Sequence, residues 1–65
     1  MDLDTRDMLK KKILDCQENV RDFQMFSKRI ESNGTSEDRE VAKTFKEFAE
    51  DSAMQARKLK EFLES

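Results

Sequence analysis

Cys16 is the single thiol of this sequence, and no histidine accompanies it. A nucleophilic cysteine needs a base to draw off its proton, and histidine is both that usual base and the commonest transition-metal ligand. The remaining donors are harder or weaker: Glu18, Glu50 and Asp51 offer carboxylates, and Ser52 and Gln55 a hydroxyl and an amide. One glycine and no proline leave no glycine-rich phosphate loop, and one cysteine makes neither a metal cluster nor an intramolecular disulfide. A nucleophile, a base and an orienting group cannot be assembled from this set, so no enzymatic activity is expected. Cys16 keeps two readings, a redox group or soft-metal ligand and a small apolar core residue. The second is preferred because free cysteine is commonly buried and inert.

The elements that would position these groups follow from one interruption. Ser32-Asn33-Gly34-Thr35-Ser36 is the only cluster of turn-forming residues. Gly34 can take the left-handed conformation that ends a helix, and Thr35 or Ser36 can cap the next, with Glu37 and Asp38 suited to its positive end. The expected organisation is a single domain over 1–65, with a helix over about 4–32, a turn over 33–36 and a helix over 37–64. A turn that short makes the helices antiparallel.

Leu9, Ile13, Cys16, Val20, Phe23, Ser27 and Ile30 alternate spacings of four and three before the turn; Ala42, Phe45, Ala49, Ser52, Ala56, Leu59 and Leu63 do so after it. Each set is a heptad seam. Centring the turn predicts Ile30 near Ala42, Phe23 near Ala49, Cys16 near Ala56 and Leu9 near Leu63, so that large faces small. Glu18, Glu50 and Asp51 point away from the seam. Val41, Phe48 and Phe62 flank it and Phe26 extends helix one in the same sense. The stripe is wider than one partner helix needs. The fold class expected is therefore all-α, an antiparallel two-helix hairpin dimerising into a four-helix bundle, with Phe26, Val41, Phe45, Phe48 and Phe62 as its self-association interface.

The run from Phe45 to Leu59, with Ala49, Ser52, Gln55, Ala56 and Leu59 in its frame, resembles the second helix of rubrerythrin-like proteins of the ferritin-like superfamily. In that family this helix carries Glu-x-x-His, and the resemblance places those ligands at Ser52 and Gln55. Phe23, Phe26 and Ser27 resemble the corresponding frame of the family's first helix, which puts its ligand glutamate at Cys16. The likeness covers residues 13–63. It implies a four-helix, ferritin-like bundle in which all three metal-ligand positions, Cys16, Ser52 and Gln55, have been replaced, and hence no cofactor. Ser52 and Gln55 either form a polar layer that fixes the register between hairpins or, for the serine, bond the helix's own backbone carbonyl.

Size and charge bound the rest. A 65-residue chain without disulfide or metal completes a marginal core most readily by oligomerisation. Although 43% of the residues are charged, the net charge is only −2, so no nucleic-acid partner is expected. No segment approaches a membrane span or a secretion signal, and a cytoplasmic location is expected. Lys10, Lys11 and Lys12 lie with Arg57, Lys58 and Lys60 at the open end; this is read as a solvated end rather than a dock for an acidic protein. Met25 and Met54 are read as ordinary exposed side chains rather than an adaptable contact surface. The expected function is a self-associating structural or protein-interaction module. Two alternatives stand beside it: a rubrerythrin-type metal or redox protein using residual carboxylates or Cys16, and a small bacterial regulatory hairpin like the sporulation phosphatases, whose Ser-Gln-Glu-Leu-Asp motif is not found here.

Overall fold

The computed structural model describes residues 1–64, which form two α-helices, α1 (Leu3–Glu31) and α2 (Ser36–Glu64). They fold back on each other as an antiparallel hairpin, a rod of 49 × 14 × 12 Å. Both helix starts are fixed by side-chain caps. The Asp2 carboxylate accepts the Thr5 N–H at 2.8 Å, and the Thr35 hydroxyl oxygen accepts the Asp38 N–H at 3.0 Å. Each satisfies a donor that the first helical turn leaves without a partner. The Asp2 cap starts α1 one residue before the expected boundary, and Thr35, not Ser36, caps α2.

Between the helices the chain turns tightly. Asn33 N–H donates to the Ile30 carbonyl and Gly34 N–H to the Glu31 carbonyl, both at 3.1 Å. Gly34 has φ 78°, a left-handed conformation that only glycine adopts without strain. Lys28 and Arg29 occupy the last turn of α1, and Glu37 and Asp38 the first turn of α2, each complementing the local helix dipole. Lys46 reaches Glu31 across the hinge at 3.0 Å.

The seam is built as the heptads predict, and its buried residues, Ile13 apart, are small. Ile13, Cys16 and Ser27 are buried on α1, and Ala42, Ala49, Ser52 and Ala56 on α2. Leu9, Val20, Phe23, Ile30, Phe45, Leu59 and Leu63 are half-buried around them. Phe23 fills the middle, with Phe45 and Phe48 edge-on at ring separations of 5.3 and 5.6 Å. Among the described residues the largest side chain shut away completely is a serine, Ser27. The hairpin alone thus encloses no large apolar side chain in full.

Candidate functional site

Ser27 marks the closest approach of the helices. Its hydroxyl donates across the seam to the Ala42 carbonyl at 2.8 Å. A seam serine more often bonds its own helix; here the small side chains on both sides bring a carbonyl of the other helix within reach. The heptad pattern places Ser27 in the seam but carries no signal for this bond, which depends on how closely the backbones approach.

The three positions at which the family likeness puts metal ligands lie at one level, but they do not share one environment. Cys16 and Ser52 are buried, whereas Gln55 is exposed. The Cys16 thiol donates weakly to Gln55 Oε1 at 3.8 Å. Gln55 therefore sits on the rim of the seam, while Ser52 lies inside it. The reason lies in its phase: Val41, Phe48, Gln55 and Phe62 follow one another at intervals of seven, so Gln55 belongs to the flanking row. That spacing was present in the sequence.

A di-iron centre needs bridging carboxylates and imidazoles facing inward. The donors present at these positions are a thiol, a hydroxyl and an amide, and Glu18, Glu50 and Asp51 are exposed on the outer faces. No group of three or more His, Cys, Asp or Glu among the described residues is placed to hold a metal ion. The side chains do not fit the metal centre that the likeness implies.

What the hairpin does present is an apolar face. Phe26, Val41, Phe48 and Phe62 are between 38% and 50% exposed, high for aromatic and branched residues in so short a chain. The Val41–Phe48–Gln55–Phe62 row of α2 lies beside a matching row of α1, Lys12–Asn19–Phe26, also spaced by seven. Grooves join the rows. At the hinge end Phe26 and Ile30 line one with Phe45. Further down, Lys12 and Cys16 line another, of ≈ 330 Å³, with Gln55, Lys58 and Leu59. Phe45 plays two parts, since one side of its ring packs within the hairpin.

The chain matches no protein-family model, no curated protein and no solved structure. Its site must be read from its own residues.

The charges around this face are solvated. Lys11 and Lys12 lie 3.5 and 3.6 Å from Asp15, and Lys58 lies 3.4 Å from Glu61, all well exposed. Such pairs add at most about 1 kcal/mol each. Lys58 Nζ also stands 5.9 Å from the Phe62 ring centre, a cation–π contact that shields part of that ring. Among the described residues no helix is long and apolar enough to cross a membrane. Met25 and Met54 are half-exposed, and Met54 lines the second groove beside Gln55 and Lys58.

Proposed function

We propose that this chain is a non-enzymatic, self-associating helical module, a ferritin-like half bundle without metal ligands, whose role is structural or protein-binding. The observation that carries this reading is the face just described: four large apolar side chains, each 38–50% exposed, beside a seam whose buried residues are mostly alanine and serine. At roughly 25 cal/mol per Å² of apolar area removed from water, covering such a face is a main source of stability for a core this thin. A second hairpin supplies an identical face and closes the four-helix arrangement in which such stripes are normally buried. The thiol, hydroxyl and amide at Cys16, Ser52 and Gln55 support a scaffold reading over a metal or redox one.

The test is the mass in solution by light scattering over a range of concentrations. A dimer or larger assembly is expected. A folded, stable monomer at the highest concentration overturns the reading.

A further inference from the structure

The exposed face also carries information about how a second copy sits on it. Two symmetric arrangements bring the two faces together. In one, a two-fold axis runs along the rod, both hinges lie at the same end, and α1 of each copy covers α2 of the other. In the other, the axis crosses the rod, the hinges lie at opposite ends, and each helix covers its own counterpart.

The internal register makes these alternatives distinguishable. Cys16 is bonded to Gln55, and Phe23 packs on Phe48, so these pairs are level along the rod. By the same register Phe26 is level with Phe45, between Val41 and Phe48, and Asn19 lies level between Phe48 and Gln55. Along the outer edge of the face, three residues beyond each row, stand Asp15, Asp22 and Arg29 on α1 and Thr44, Asp51 and Lys58 on α2.

With the hinges together, Phe26 of one copy enters between Val41 and Phe48 of the other, its Asn19 falls midway between Phe48 and Gln55, and its Lys12 falls between Gln55 and Phe62. On the rim Asp15 comes within about 3 Å, along the axis, of the other copy's Lys58. Against this stands one unfavourable meeting, Asp22 with Asp51.

With the hinges opposed, the same face mismatches. The α2 row has its midpoint between Asp51 and Ser52, so Phe48 is set on Gln55. Asn19 meets its own counterpart at the axis, but Phe26 is set on Lys12, Asp51 on its own counterpart, and Asp15 on Asp22, with no opposite-charge pair along the edges. Polar groups buried against rings lose their water without gaining a partner, and facing like charges repel.

We propose, building on the self-association reading, that the second copy docks with its hinge beside the first. The Phe26 ring seated between Val41 and Phe48, together with the Asp15–Lys58 pair on the rim, sets this arrangement against its head-to-tail alternative.

Ser36, at the start of α2 beside the hinge, gives a direct readout because it is exposed and lines neither groove of the face. A spin label is attached at Ser36→Cys in a Cys16→Ser background, and the distance between labels in the assembled protein is measured by double electron–electron resonance. Light scattering and circular dichroism on the same sample check its mass and helicity. Hinges together place the labels within about two interhelical spacings, on the order of 20 Å. Hinges opposed place them nearly the length of the 49 Å rod apart. The short distance is the expected result.

A long distance overturns the arrangement while leaving self-association standing, whereas uncoupled labels on a monomer overturn both. A second, label-free measurement uses the rim pair in the otherwise unchanged chain. Lys58→Glu weakens association at least several-fold, Asp15→Lys alone also weakens it, and the two together restore it; strengthening by Asp15→Lys alone is the head-to-tail result, because Asp15 there faces Asp22. Absence of rescue counts against the hinge-together arrangement even where mass confirms a dimer.

Discussion

Replacing Ser27 by alanine isolates a fully enclosed hydrogen bond that crosses the seam. The hydroxyl is fully enclosed and donates to the Ala42 carbonyl at 2.8 Å. That carbonyl keeps the regular α-helical partner four residues on, so the substitution orphans no acceptor. The cost is the net value of the bond, about 0.5–1.5 kcal/mol, and the lower half of that range is expected. A domain of this size has a total stability of roughly 3–10 kcal/mol and shifts its midpoint by about 4–8 °C per kcal/mol. Ser27→Ala should therefore melt about 5 °C lower by far-UV circular dichroism, compared at matched protein concentration because association raises the midpoint. Ser27→Leu should fall much further: the site has no free volume, and overpacking adds strain of about 1–3 kcal/mol or more. Stability should rank wild type, alanine, leucine. If the leucine variant is as stable as the alanine one, the helices do not approach closely here. An alanine variant more stable than wild type means that the hydroxyl makes no useful bond.

Phe48→Asp forces a charge beside Phe23 and into the proposed interface, and should dissociate the assembly and remove most of its helicity; retention of mass and helicity would show that Phe48 lies on neither surface. Gly34→Ala should cost about 1–2 kcal/mol in chemical denaturation, because φ is 78° while an added Cβ would meet nothing within 4 Å; an unchanged midpoint would mean that the hinge relaxes out of the left-handed region. The Asp2 carboxyl is held below its ordinary 3.8, first by the Thr5 backbone N–H, then by the Thr5 side chain. Its folded pKa is depressed, so its contribution is fully present above pH 3.8 and fades as the pH falls through the lower folded value. Asp2→Ala should loosen the first turn of α1 near neutrality and make no difference at the acid end, as amide exchange at Thr5 and Arg6 would report. Equal exchange in both proteins at neutral pH would remove Asp2 as the cap.

The hairpin was legible because its signals are local and agree. One turn cluster, caps on both sides and two seams with the same alternation leave few other folds, and large facing small selected a register that the Cys16–Gln55 and Phe23–Phe48 contacts match within one turn. The outward phase of Glu18, Glu50 and Asp51 was equally legible. Gln55 was harder to place. A family frame put it in the buried middle, whereas its spacing from Val41, Phe48 and Phe62 puts it on the flank, and the helix obeys the spacing. The bond from Ser27 to Ala42 was out of reach, because heptads specify which residues meet but not how closely two backbones come. Phe45 was read both as a seam residue and as part of the self-association face, and it packs on Phe23 within the hairpin while lining the groove beside Phe26; aromatic rings at the edge of a seam serve both surfaces, and pattern alone does not divide them.

The order in which the hairpin assembles follows from its single tight hinge. Ser27 and Ala42 are 15 residues apart, whereas Cys16 and Gln55 are separated by 39. A searching chain closes the shorter loop at lower entropic cost, and each layer formed shortens the effective loop for the next. Pairing should therefore begin beside Gly34 and advance like a zipper towards Leu3 and Leu63, and opening should run in reverse. Substitutions at Ser27 should slow refolding, while those at Leu63 should mainly hasten unfolding in stopped-flow experiments. The reverse pattern would place the nucleus at the open end. The rod thus has a kinetic polarity that its near-symmetric pair of helices does not show at rest.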